Sequence, residues 1–351
     1  VVQVHAHGVV PARTGVPSPP NRSPSPEAAP VTRPVPLQTV SRRSLLAGLG
    51  ATGAGLVLAA CGGGGDPGAT PTTAGTTPPG SSPQDGDAAV QAALDAAGVD
   101  APVTLTVLVA SFEPMTGSGR RLQFGLLGED REPALDLDVR AHLVRADDAT
   151  DATGALEPTF HGEGLGDRGV YVIETDLEQP GTYDLVVVTA DGTAAGTAAL
   201  RVITPEQSAV VNVGEPFPVV ETPTEEDPKD LEELCTRDPD CGMHGISLDT
   251  ALAEGAPAVL VISTPKYCAT RICGPVVDVV MQVREETGRD DVRFIHAEVF
   301  KDAGNTPTDV VTELQLPTEP WTFVIAADGT LSERFDGPVV PTLLREAVEA
   351  V

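Results

Sequence analysis

Basic residues are scarce in this 351-residue chain: Lys and Arg total 22 against 51 Asp and Glu, a formal net charge of −29. So negative a surface would be repelled by a phosphate backbone or an anionic lipid headgroup layer, and no nucleic-acid partner is expected. Only three lysines occur, Lys229, Lys266 and Lys301, and aromatics make up 3% of the chain. No methionine precedes Met115, so a non-ATG start read as valine is expected, at Val31, Val35 or Val40. No apolar run reaches the roughly 20 residues needed to span a bilayer as a helix. Cysteine occurs five times, with none between Cys61 and Cys235. What is plentiful is Gly (36) and Pro (33) without a collagen period, beside 41% apolar residues. That mixture predicts real hydrophobic cores joined by unstructured spacers. At roughly 100 to 200 residues per domain, the length suits two folded domains plus tails.

The N-terminal stretch carries an address. Ser41-Arg42-Arg43-Ser44 opens an apolar run, rich in Gly and Ala, that ends at Ala59-Ala60-Cys61. Its sixteen residues after Ser44 are too few to cross a hydrocarbon core of about 30 Å, and Gly48, Gly50, Gly53 and Gly55 would weaken a buried helix. Paired arginines before such a segment resemble a twin-arginine export signal, and Leu58-Ala59-Ala60-Cys61 resembles the lipobox of bacterial lipoproteins. The resemblance implies a leader over residues 1–60, lipidation at Cys61, and anchoring on the extracytoplasmic face of the cell membrane. Residues 61–100 begin with four glycines and continue in Thr, Pro, Ser and Gly, which predicts a flexible tether.

From Val103 to Ile203 the pattern turns to short apolar runs of period two broken by turn residues. Strands are predicted at Leu105–Ala110, Arg121–Leu127, Leu135–Val144, Gly169–Thr175, Tyr183–Thr189 and Ala195–Val202, with Asp191-Gly192 as a hairpin turn. Residues 101–204 are therefore expected to form an all-β sandwich. Gln179 to Leu185 resembles the turn and tyrosine entering a late strand of immunoglobulin-like domains. His142 and His161 could be metal ligands, but isolated histidines in a β domain are more often surface or core residues. The expected role of this domain is a spacer or partner-binding module.

Residues 205–244 read as a Pro-rich, acidic linker holding Cys235 and Cys241 around Thr-Arg-Asp-Pro-Asp. In an oxidising compartment these two are expected to close a structural disulfide, and five cysteines divide into one lipidated and two pairs. Over residues 245–351 the rhythm becomes α/β. Ser247 caps a helix to Glu254, Pro257–Ser263 is a buried strand, and Val276–Thr287 is a helix stopped by Gly288. Val292–Phe300 is a strand, Thr308–Gln315 a short helix, and Trp321–Ala327 with Thr330–Phe335 a hairpin before a final amphipathic helix.

That β-α-β-α-β-β-α order, with Tyr267-Cys268 and Cys273-Gly274-Pro275 just after the first strand and Glu319-Pro320-Trp321 opening the third, resembles the thioredoxin family. The resemblance implies Cys268 and Cys273 as a redox pair at a helix N-terminus and Pro320 as the facing cis-proline. Two features depart from the family: the cysteines are separated by four residues instead of two, and Ile262 stands where many thioredoxins carry a buried acid. Residues i and i+5 of an ideal helix lie about 7.5 Å apart along the axis, beyond the roughly 7 Å Cα limit for a disulfide, so Cys268 must sit in the preceding loop. If Pro275 lies in the first helical turn, Cys273 caps the helix and is the attacking thiol. If the helix starts near Ala269, Cys268 is, and the preceding Tyr267 favours Cys268.

The fold expected is thus multi-domain: a signal and disordered tether, an immunoglobulin-like sandwich, and a C-terminal thioredoxin-like domain. The function expected is thiol–disulfide exchange with exported thiol or disulfide proteins and an electron donor, with no cofactor or metal. Two alternatives stay open. One is a non-catalytic binding lipoprotein locked by a structural disulfide. The other is copper delivery resembling Sco proteins, with Cys268, Cys273, His296 and His244 as ligands.

Overall fold

In a computed structural model of the chain, residues 83–268, 271–303 and 305–351 are described. The expected leader, the twin arginines and Cys61 lie outside them.

The chain enters through α1 (Pro83–Ala97), within the stretch expected to be tether. The helix has a packing reason: Val90, Ala93, Leu94 and Ala97 recur at helical spacing, and Ala93 and Leu94 are buried against Val144, Val186 and Ala195. Eight strands follow: β1 (Thr106–Val109), β2 (Gly117–Leu127), β3 (Val139–Arg145), β4 (Asp148–Ala152), β5 (Thr159–His161), β6 (Val170–Leu177), β7 (Gly181–Thr189) and β8 (Ala195–Val202). They form two antiparallel sheets, ordered β1-β2-β6-β5 and β4-β3-β7-β8. Alternate residues of both sheets, among them Leu122, Phe124, Ala141, Leu143, Tyr171, Ile173, Leu185 and Val187, meet in one core. The sequence pattern missed β4 and β5. Asp148–Ala152 is polar and mostly exposed, so it has no apolar alternation to detect.

The residues expected to be a linker are ordered. Val210, Phe217 and Val220 are buried in the C-terminal core. Backbone bonds from Gly214 N to Leu331 O, Leu331 N to Glu215 O and Phe217 N to Gly329 O lay this strap along the last hairpin. It covers a sheet edge that would otherwise be open.

The C-terminal domain comprises α2 (Leu248–Ala253), β9 (Ala258–Ile262), α3 (Cys273–Thr287), β10 (Arg293–Ala297), α4 (Asp309–Glu313), β11 (Trp321–Ile325), β12 (Leu331–Asp336) and α5 (Pro341–Glu349). Its sheet order is β10-β9-β11-β12, with β10 parallel to β9 and β11 antiparallel to both β9 and β12. The order and directions are those of the thioredoxin-like arrangement. Strands β9 and β11 are buried at every position, as central strands covered on both faces must be. Val259, Val261 and Val324 face α3 and α5, while Ala258, Leu260, Ile262, Trp321 and Phe323 face the opposite side, which holds Leu248 of α2 and Val310 of α4. Gly288, at φ 56°, ends α3 in the left-handed conformation that glycine adopts without penalty.

The sandwich and the α/β domain share a polar seam. Arg334 pairs with Glu113 at 2.8 Å and lies over the Trp321 ring, and Arg121 pairs with Glu333 at 3.0 Å. The Glu113 amide donates to Asp336.

Candidate functional site

Strand register positions the site. Trp321 pairs with Ile262, so the start of β11 abuts the end of β9, and the residues just before β11 face the loop just after β9. That loop carries Cys268, and α3 opens at Cys273. The two are joined by a disulfide with a Cα separation of 6.1 Å. Placing Cys268 in the loop brings the pair within the usual 4.4–6.8 Å range, which five residues of continuous helix would not allow. Pro275 lies in the first turn of α3, yet the sulfur at the helix start is the hidden one: Cys273 is fully buried and Cys268 only partly so. Position and access are thus divided between the two cysteines. The Glu319–Pro320 peptide is cis.

Glu319, which sequence reasoning passed over as part of the proline motif, brings a carboxylate oxygen within 4.8 Å of both sulfurs. Burial pushes its pKa up to about 7; a backbone hydrogen bond at Thr264 opposes the shift and the charge of Glu298 adds to it. Its Oε2 is buried without a hydrogen-bond partner. Strand β9 carries no acid, Ile262 being its last residue, and Glu319 brings a carboxyl to the pair from just before β11. A carboxylic acid directly before the proline was the available signal.

Cys235 and Cys241 do not form the structural disulfide expected of them. Their Sγ atoms are 3.6 Å apart and both are free thiols, where a disulfide needs about 2.05 Å. The physical reason is the company they keep. Cys241 Sγ lies 3.4 Å from His244 Nε2 and 3.4 Å from His296 Nδ1, and Cys235 Sγ lies 3.8 Å from His296 Nδ1. The Cys241–Cys235 hydrogen bond pushes the Cys235 thiol down and the Cys241 thiol up. His296 and His244 therefore gather around Cys235 and Cys241, not around Cys268 and Cys273 as the copper-delivery alternative required. His142 and His161 fall in neither metal-capable group among the described residues.

The loop bearing these thiols is pinned on three sides. The His296 amide donates to Met243 O, Arg284 donates to the carbonyls of Cys241 and Gly242, and the Thr236 amide and hydroxyl donate to buried Glu298. Thr264, at the end of β9, also donates to Glu298. Burial pushes the Glu298 pKa up, opposed by His296 beside it and by these donors. A cleft of about 670 Å³, lined in part by Cys235, Thr236, Pro265, Lys266 and Gly274, opens beside the disulfide loop. Lys266, a cation that could favour a thiolate here, is engaged by Glu233.

No family model matches the chain. No curated protein matches it either. Among solved structures, it is similar over 40% of its length to 98% of a thiol:disulfide interchange protein of the thioredoxin family from Chlorobium tepidum TLS, at 15% identity and a TM-score of 0.29. A DsbF homologue from Corynebacterium diphtheriae is similar over 42% of this chain and 96% of its own, at 17% identity and a TM-score of 0.30. StoA from Bacillus subtilis is similar over 26% and 82%, at 16% identity and a TM-score of 0.23. The strand topology and the site's own geometry, rather than these low-scoring likenesses, support the functional reading.

Proposed function

We propose that the C-terminal domain carries out thiol–disulfide exchange through Cys268 and Cys273. The observation that carries this reading is a disulfide whose two sulfurs differ in access, one partly exposed in a loop and one buried at the start of a 15-residue helix. A partner thiolate reaches the Cys268 sulfur and forms a mixed disulfide with it. The Cys268–Cys273 bond breaks and its electron pair leaves on Cys273. There the unpaired amides at the N-terminus of α3 favour the thiolate. A second partner thiol then attacks the partner's own sulfur of the mixed disulfide, releasing Cys268 as a thiolate and leaving the partner oxidised. Running the same steps backwards reduces a partner disulfide. Glu319, protonated below about pH 7, is placed to hand a proton to the departing sulfur.

The test uses glutathione as the partner. Cys273→Ser is expected to hold a stable glutathione adduct on Cys268, mapped by peptide mass. Cys268→Ser is expected to hold almost none on Cys273, because that sulfur is buried. Equal labelling of Cys268 in the one variant and Cys273 in the other would remove the assignment.

We propose further that the protein is exported and lipid-anchored through Cys61, exchanging disulfides with exported proteins and drawing on a separate electron donor. Support comes from Arg42-Arg43 and from Leu58-Ala59-Ala60-Cys61. Labelled fatty acid is expected in the wild-type chain and not in Cys61→Ala. Among the described residues no helix is long and apolar enough to cross a membrane. The sandwich is proposed to be immunoglobulin-like, supported by the Tyr183 hydroxyl donating to Gln179 O at 2.9 Å, the bond pattern of a tyrosine corner.

A further inference from the structure

We infer that Cys235, Cys241, His244 and His296 form a four-coordinate zinc site, separate from the exchanging disulfide, that fixes the loop walling the cleft beside it. The ligand atoms of all four lie within 4.8 Å of one another. A tetrahedral zinc ion with Zn–S of about 2.3 Å and Zn–N of about 2.05 Å sets its sulfurs about 3.8 Å apart and each sulfur about 3.5 Å from each nitrogen. The separations found are 3.6 Å between sulfurs and 3.4, 3.4 and 3.8 Å from sulfur to nitrogen. A disulfide would pull the sulfurs together and leave two buried imidazole edges facing them without purpose.

The surroundings of the histidines point the same way. His296 Nε2 lies 2.9 Å from the Ser263 carbonyl, which can only accept, so that nitrogen carries the proton and the lone pair sits on Nδ1, facing both thiols. A backbone carbonyl that fixes the tautomer and aim of a ligating imidazole is the usual outer partner of zinc-bound histidine. His244 is 1% exposed and turns its Nε2 edge to the Cys241 sulfur at 3.4 Å. Cys241 and His244 belong to one short turn, Cys-Gly-Met-His, in which Gly242 takes the positive φ of 63° that places both side chains on the same side.

Charge selects the ion. Two thiolates and two neutral imidazoles around Zn²⁺ make a neutral unit, which suits a site where three of the four ligands are buried. Cu⁺ would leave it one negative charge in a buried setting. All four positions are filled by protein, which is the pattern of a structural site with no place for substrate. Two separate segments are joined by it: the 235–244 loop and β10. Once bound to metal, Cys235 is also withheld from scrambling with the Cys268–Cys273 pair, whose loop borders the same cleft.

The experiment uses the full chain carrying Cys268→Ser and Cys273→Ser, so that its outcome is independent of the exchange reading. The chain is reduced without oxygen and titrated with Zn²⁺ against a chromogenic chelator, and with Co²⁺ by absorption. One equivalent of zinc is expected, together with the strong d–d bands of tetrahedral Co²⁺ and a thiolate charge-transfer band. Adding Cys241→Ser should abolish stoichiometric zinc. His296→Ala should abolish the tetrahedral cobalt spectrum, while His142→Ala should leave both unchanged. Two results would overturn the inference: no stoichiometric zinc in the reduced chain, or an octahedral cobalt spectrum without the thiolate band.

Discussion

A carboxyl group buried beside a disulfide has two ways to act, as an acid that protonates a departing sulfur or as a charge that repels it. Which one Glu319 does depends on pH, because burial has moved its pKa up to about 7. Below that value the acid form assists release of Cys273; above it the carboxylate raises the energy of a thiolate forming within 4.8 Å. The second-order rate of attack on Cys268, expressed per partner thiolate, is therefore expected to fall as pH rises through 7. Glu319→Gln should flatten that profile, and an unchanged inflection would assign it to another group. The same displacement has a stability consequence with a definite sign. Because the folded pKa lies above the ordinary 4.5, the contribution is present below about pH 4.5 and is lost as pH rises through about 7. Glu298 differs in kind: it is also buried and shifted upward, but it accepts from Thr236 and Thr264 and so tethers the loop.

Among the secondary elements, α1 is the most informative. It is short, carries no basic residue in its last turn, and would not persist alone in water. Its stability comes from Ala93 and Leu94 packed on the outer face of β3 and β7. Leu94→Ala is expected to cost about 2 to 5 kcal/mol of docking free energy, read as faster amide exchange through residues 88–97 with the thioredoxin-like sheet unaffected. Uniform loss of protection across the chain would contradict local docking. The strands of the α/β domain were legible because two-sided burial forces continuous apolar runs: Pro257–Ser263 was expected and Ala258–Ile262 is found, Trp321–Ala327 was expected and Trp321–Ile325 is found. Elements whose burial depends on distant partners were not legible. The α1 stripe has no core of its own, β4 is polar, and the strap at Val210 to Val220 reads as linker because its prolines hide three buried side chains. The site divides in the same way. Cys268, Cys273 and Pro320 stand in local motifs that sequence can display, whereas the approach of His296 to Cys235, 61 positions away, exists only after β10 pairs with β9.

Taken as a whole, the molecule joins a β-sandwich and a thioredoxin-like domain through a seam of buried or half-buried charges, Arg334 with Glu113 and Arg121 with Glu333. The chain has 22 Lys and Arg in all, and two of them, Arg334 and Arg121, are engaged in this seam. The central claim is that the Cys268–Cys273 bond is an exchanging disulfide and not a permanent brace. Equilibration of the full chain against glutathione or dithiothreitol buffers, with the redox state of that pair read by alkylation and peptide mass, tests it most directly. A potential between about −300 and −120 mV, the span of exchanging disulfides, is predicted. A pair that stays oxidised well below about −300 mV would contradict the account and make the bond a structural one.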